Sequence, residues 1–300
     1  MPNALFVGIS TIDVVYRVDE FPAANTKVAA YSQNLYAGGP ATNAAIAFRH
    51  LGGSITLISA IGRHILASAI NSELERYGIA HLDLSPAFEG VPPIASITVN
   101  PAGERNVVSA RRARIAPPPA KVDESLLAQA SIVLVDGHPM QACQVWAQAA
   151  HAQEIPVVLD GGSWKEGTRE LLANIDYAIC SADFRPPGCF TEDDVLRYLE
   201  DCGVTSIAIT HGDKAIRFVS NATAGMLPVP QVQAMDTMGA GDIFHGAFCY
   251  YAASGLNFER SLSAAAKVAT DSCRFNGTRE WMQHGTLTQT ARGNSAWPAG

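Results

Sequence analysis

Asp236-Thr237-Met238-Gly239-Ala240-Gly241-Asp242, followed at once by Ile243-Phe244-His245-Gly246-Ala247-Phe248, is the stretch on which the reading of this chain turns. Two glycines with one alanine between them leave little side chain in the way, so their backbone N–H groups can converge on an anion. The apolar run that follows predicts a helix over 242–254. The turn then sits at a helix N-terminus, where unpaired N–H groups and the helix dipole both favour negative charge. The turn nevertheless ends in a carboxylate, Asp242. An anion site with a carboxylate at its edge suits phosphoryl transfer to an alcohol: the turn holds the phosphoryl group and the carboxylate takes the proton of the attacking hydroxyl. By itself, a Gly-rich turn with an acidic residue before a helix is also an ordinary capped loop.

Around this stretch, short apolar runs alternate with segments of helical period. Strands are expected at 4–9, 55–61, 131–135, 156–160, 177–180, 206–210 and 216–220. Helices are expected at 40–51, 67–77, 124–130, 141–152, 191–201, 242–254 and 258–273. This βαβα rhythm predicts a parallel sheet with helices on both faces. Two of the strands end in Asp160 and Thr210, at the carboxyl ends beyond which ligands bind in open α/β sheets. Two segments, from Ile12 to Ala37 and from Ile94 to Ala110, alternate as strands without crossover helices. They are expected to pair in a separate antiparallel sheet, either a plain extension or a lid that keeps water from the phosphoryl group. The expected division is 1–11, 38–93 and 111–300 for the nucleotide- and substrate-binding core, and 12–37 and 94–110 for the lid. The stretch from Met282 onward is polar with Gly and Pro, and loose packing is expected there.

Composition narrows the function. With 48% hydrophobic and 16% charged residues among 300, the chain can bury a substantial core. A net charge of −7 and no Lys/Arg cluster denser than Arg111, Arg112 and Arg114 speak against nucleic acid as a partner. No apolar run approaches the roughly 18 residues that span a bilayer, and no signal peptide is apparent at Met1-Pro2-Asn3-Ala4. The six cysteines are scattered without a C-x-x-C, as reduced thiols in a cytoplasmic protein would be.

A second motif decides between capped loop and active site. Gly38-Gly39-Pro40-Ala41-Thr42-Asn43 opens a helix with Pro at its first position and ends it at Leu51-Gly52-Gly53. Together, D-T-x-G-A-G-D-x-F-x-G and G-G-x-x-x-N resemble the two signatures of the ribokinase-like (PfkB) carbohydrate kinases, and the resemblance runs from about Leu5 to Gly277. It implies a three-layer α/β/α sandwich with a mostly parallel central sheet and a small β-sheet lid that often carries a homodimer interface. It implies ATP and Mg²⁺ as cofactors, in many relatives also K⁺, and a small-molecule sugar as substrate. On that match Asp242 is the general base and Gly239, Ala240 and Gly241 form the anion hole. Asp13, Gly38, Gly39 and Asn43 grip the sugar, and Arg105 reaches in from the lid. Thr210 and Gly212, from T-x-G, with the loop at Asn276, hold the nucleotide beside the Ala-rich helix at Ala264-Ala265-Ala266. Asp236, with carbonyls near Met238 and 273–277, would hold the monovalent cation.

Three departures stand out. Ala215 replaces the last Gly of T-x-G-x-x-G. Ser181-Ala182-Asp183-Phe184 stands in for N-x-x-E, leaving Asp183 to organise Mg²⁺ through water. His64 stands where G-x-D-x-x-G would place Asp. The last two variations resemble ketohexokinase-like members. His64 and His245 read as hydrogen-bonded structural histidines, since neither has a carboxylate or second histidine at triad or metal spacing. The reading is an ATP-dependent sugar kinase. A nucleoside kinase and a non-catalytic sugar-binding protein on the same scaffold are the alternatives. A Rossmann dehydrogenase ranks last, because no G-x-G-x-x-G follows the first strand.

Overall fold

A computed structural model describes residues 1–110, 115, 121–221 and 223–284. Arg111, Arg112 and Arg114, and the tail beyond His284, lie outside them. In chain order the elements are β1 (Asn3–Val7), β2 (Thr11–Arg17), β3 (Ser32–Gly38), α1 (Pro40–His50), β4 (Ser54–Ser59), α2 (Ala67–Arg76), β5 (Ala80–Asp83), β6 (Ile94–Val99), β7 (Arg105–Ser109), α3 (Glu124–Leu127) and β8 (Ile132–Val135). They continue with α4 (Met140–Ala152), β9 (Val157–Gly161), α5 (Thr168–Leu172), β10 (Tyr177–Ser181), α6 (Glu192–Asp201), β11 (Ser206–His211), β12 (Lys214–Ser220), β13 (Thr223–Leu227), α7 (Ala240–Ala253), α8 (Phe258–Ser272) and α9 (Trp281–His284).

Nine strands form one sheet in the order β13-β12-β11-β10-β9-β8-β1-β4-β5, parallel except for β12 and β13. Successive residues of its inner strands face opposite layers. Ala4 and Phe6 join Leu57, Leu134 and Ile179 under α1, α7 and α8. Leu5 and Val7 join Val133, Val135 and Ile207 with Trp146 of α4 on the other face. Both faces are buried, which is why these strands read as apolar runs rather than alternating ones. From β1 the chain builds outward through β4 and β5, and from β8 it builds the other way. The β1/β8 boundary is therefore the topological switch point, where a ligand crevice is expected.

The two helix-free segments pair in a four-stranded sheet of order β3-β2-β6-β7. Its β2–β3 and β6–β7 pairs are antiparallel, but β2 and β6 run parallel. The expectation of a wholly antiparallel sheet is corrected there. A parallel pair needs a long crossover, and the chain between β2 and β6 supplies one by passing through the main sheet. The face carrying Val15, Ala95, Ile97 and Val99 packs on Met238 of the glycine turn, so the small sheet sits over the crevice. The stretch from Met282 starts inside α9, with Met282 itself buried, so loose packing does not begin there.

Candidate active site

The glycine turn enters α7 through Gly239, whose φ of 68° is the left-handed conformation that glycine adopts without strain. A Cβ there would also lie 2.6 Å from Cγ2 of Thr278. The Ala240 N–H is turned inward to the Thr237 carbonyl at 3.3 Å, so Ala240 is a weaker anion donor than its sequence position suggests. The N–H groups of Gly241 and Asp242, in the first turn of α7, have no intrahelical acceptor. Space around Gly241 is open, with nothing within 4 Å of a Cβ position.

Asp242 is fixed by a helix from the other end of the chain. α1 crosses α7 so closely that a Cβ on Gly246 would lie 2.1 Å from the Ala44 carbonyl oxygen. That approach lets Asn43 Nδ2 donate to Asp242 Oδ2 at 2.8 Å. Asn43 Oδ1 accepts from Arg279 Nη1 at 2.9 Å, so the amide is engaged at both ends and bridges Arg279 to Asp242. Burial pushes the Asp242 carboxyl above the usual carboxylate range, and the charge of Asp160 adds to it; Asn43 and His245 oppose the shift.

Asp13 stands on β2 opposite Tyr36 of β3. Its Oδ1 accepts from Thr11 Oγ1 at 2.6 Å. Gly38 has no side chain for a packing reason: a Cβ would lie 1.9 Å from Asp13 Oδ2. Burial raises Asp13 as well, against the Thr11 bond and the Arg279 charge. Gly39 caps α1, with its Cβ position 2.4 Å from the Ile9 carbonyl oxygen. From β7, Arg105 Nη1 reaches Thr237 Oγ1 at 3.5 Å. Asp13, Arg17 and Arg105 thus share the face of the small sheet that looks onto the turn.

The family pattern described as pfkB family carbohydrate kinase matches residues 1–284. The chain belongs to the PfkB family of carbohydrate kinases. It is 24% identical to a ribokinase of Bacillus subtilis over 279 residues, covering 92% of this chain and 94% of that protein. It is 25% identical to a deoxyribokinase of Salmonella typhi, covering 91% and 93%. A crystal structure of a putative ribokinase from Agrobacterium tumefaciens superposes with a TM-score of 0.80 at 24% identity, covering 94% and 97%. The fold is ribokinase-like, and the protein is an ATP-dependent sugar kinase.

Thr210 is the penultimate residue of β11, and its Oγ1 donates to the Cys180 carbonyl at 3.4 Å. Gly212, with φ of 66° and open space around it, turns β11 into β12. Ala215 lies in β12 outside the left-handed region, so the missing glycine imposes no strain. The Asn276 N–H donates to Glu280 Oε2 at 2.9 Å. Ala264, Ala265 and Ala266 are buried, and α8 packs them inward rather than presenting a bare wall. His64 Nδ1 accepts from the Leu66 N–H at 3.2 Å, a loop contact.

Asp236 is already engaged on both carboxylate oxygens. Its Oδ1 accepts from Met238 N at 2.9 Å, its Oδ2 accepts from Gly277 N at 2.8 Å, and the same Oδ2 receives the Arg17 guanidinium. Both groups of that ion pair are largely buried. A cation on this carboxylate would share it with the Arg17 guanidinium, and only Oδ1 keeps a lone pair beyond its one donor. For Mg²⁺, no three His, Cys, Asp or Glu side chains among the described residues form a metal-holding group. An exposed Asp183 just after β10 does suit contact through water to an ion carried by phosphates.

Several buried polar groups around the crevice were invisible in the sequence. Arg279, 6% exposed, donates to Glu73 Oε1, Asn43 Oδ1 and the Ala37 carbonyl, and lies over the rings of Tyr36 and Tyr77. Asp136, at the end of β8, accepts from the N–H groups of Ile9, Ala41 and His138 and so ties the switch point together. Burial raises its carboxyl to about 7. Asp160 lies 3.5 Å from His245, the carboxylate partner that sequence spacing did not disclose. Partners more than 80 residues apart leave no local pattern to detect.

Proposed function

We propose that this kinase transfers the γ-phosphoryl group of ATP to a sugar hydroxyl with Asp242 as general base. The observation that carries the reading is the placement of Asp242: at the mouth of the glycine turn, with Oδ2 held by Asn43 and Oδ1 left to take the proton. A carboxyl shifted upward by burial is a better proton acceptor at neutral pH than an exposed one, because a base works best when its own proton affinity lies near the operating pH. The N–H groups of Gly239, Gly241 and Asp242 face the transferring phosphoryl, with Ala240 in support. Such a donor is worth about 2.7–4 kcal/mol at the transition state. Asp13, seated against Gly38, accepts from neighbouring sugar hydroxyls, and the backbone at Gly38 and Gly39 gives the sugar room. Asn43 acts chiefly by aiming Asp242.

Arg105 approaches the phosphates from the small sheet, which acts as the lid. Thr210, Gly212 and the loop at Asn276 hold the nucleotide. Mg²⁺, bound with ATP, neutralises phosphate charge, and Asp183 would hold its water shell. The outer lid face carries a row across the strands in which Leu35 and Val108 are 54% and 72% exposed. That apolar row supports a homodimer through the lid. Six free cysteines fit the cytoplasm.

The test is Asp242→Asn. It should keep the fold and ATP binding and lower turnover by about 10²–10⁴, the range for loss of a general base. Near-normal turnover in the pure variant would remove Asp242 from the chemistry.

A further inference from the structure

His245 is a buried titratable side chain of α7, one helical turn beyond Gly241. Its Nδ1 lies 2.7 Å from the Gly241 carbonyl oxygen and its Nε2 lies 3.1 Å from the Ile179 carbonyl oxygen. A backbone carbonyl can only accept, so each ring nitrogen that faces one must donate. A neutral imidazole has a single N–H; only the imidazolium has two. The ring is 6% exposed, and a buried charge needs a partner. Asp160, also 6% exposed, supplies it: Oδ2 lies 3.5 Å from Nδ1 and has no hydrogen-bond donor of its own. The main sheet explains why both partners are present. Ile179 of β10 and Asp160 of β9 are neighbours in register, so one strand presents a carbonyl and the next a carboxylate to the same ring.

We propose that His245 is held as an imidazolium by Asp160 and the two carbonyls, and is a positioning residue for phosphoryl transfer. The inference rests on the reading of residues 239–242 as the anion hole. The carbonyl that the ring grips belongs to the peptide whose N–H is that of Asp242. A cation on one end of a peptide fixes its plane and polarises the N–H at the other end, making it a stronger donor. The charge also adds to the positive end of α7, toward which the phosphoryl group moves. Asp242 shares the helix and faces the same space, so the cation offsets the repulsion between Asp160 and Asp242.

Long-range ¹⁵N–¹H spectra of the histidine-labelled kinase at pH 7.5 test the charge directly. Both ring nitrogens of His245, assigned with His245→Gln, should carry protons, and in Asp160→Asn the ring should revert to a neutral tautomer. His245→Gln keeps one donor and loses the charge. It should lower kcat about tenfold, equivalent to about 1.4 kcal/mol at the transition state, with the KM for sugar unchanged. A bare ring nitrogen in the wild-type spectrum would overturn the proposal, and so would an unchanged kcat in His245→Gln. The assignment does not depend on His245→Gln folding, since the other seven histidines can be assigned by their own substitutions and His245 by elimination. Asp242→Asn separates the two readings. If it keeps its turnover, the general-base reading fails whatever the ring carries. If it loses turnover while the wild-type ring is neutral, only the inference about His245 fails.

Discussion

Gly246→Ala is a one-carbon test of how this kinase aims its base. The added Cβ would lie 2.1 Å from the Ala44 carbonyl oxygen, and the neighbouring Ala44 carbonyl carbon is 2.9 Å away. Ordinary contact begins near 3.4 Å, so α1 and α7 must part by about 1.3 Å, the difference of the two distances; overpacking of this kind costs about 1–3 kcal/mol. Neither side can yield alone, because both the intruding carbon and the oxygen it meets are carried on helix backbones. The Asn43–Asp242 hydrogen bond spans the same crossing at 2.8 Å. Stretched by a comparable amount it passes beyond about 4 Å and ceases to be a hydrogen bond. Asp242 then loses its aim, and a misplacement of about 1 Å can lower a rate by 10²-fold. The expected outcome is a lower denaturation midpoint together with a fall in kcat of about 10–10², measured by coupled assay under conditions where the variant is fully folded. Leu199→Ala, which opens a cavity on the far side of the sheet, is the control: comparable destabilisation with unchanged kcat. A Gly246→Ala enzyme with wild-type kcat would refute the claim that the α1–α7 approach positions the base.

Asp13→Ala should weaken sugar binding much more than ATP binding, because it strips acceptors from the sugar side alone; calorimetry showing equal losses for both ligands would make Asp13 structural. Replacing K⁺ by choline should leave turnover unchanged, since Arg17 already covers Asp236, whereas a strict requirement for K⁺ would show that the cation binds elsewhere or displaces the guanidinium. For pH, the sign follows from burial. Burial raises the folded Asp242 carboxyl to about 7, so its contribution to stability is present at low pH and is lost as pH rises toward that value. Asp242→Asn has no such loss, and its denaturation midpoint should gain on the wild type between about pH 4 and pH 7; a constant or shrinking difference would contradict the shift. Sugar should protect β2 and β6 together from hydrogen exchange, and protection of one strand alone would rule out a shared lid.

The sequence by itself determined the main sheet and the glycine turn that opens α7. Buried parallel strands leave continuous apolar runs, and β1, β4 and β8–β11 were legible for that reason, while Pro40 and the glycines of both motifs marked the starts of α1 and α7. β5 and β13 went unseen. The first is only four residues, half of them polar, Ala80-His81-Leu82-Asp83, and the second is an edge strand with a central glycine, Gly225. The parallel register of β2 on β6 was equally hidden, because alternation shows that a segment is a strand and not which neighbour it meets. Asp13 and Asp242 were singled out from local motifs. Arg17, Arg279, Asp136 and the Asp160–His245 pair were not, because each acquires its role from a partner distant in sequence. The fold brings Arg279 to Asn43 across 236 positions and Arg17 to Asp236 across 219. Local sequence records what a backbone needs in order to turn, coil or extend. Which charges become neighbours, and therefore which carboxylates shift, is settled only when the layers close and water leaves the space between them.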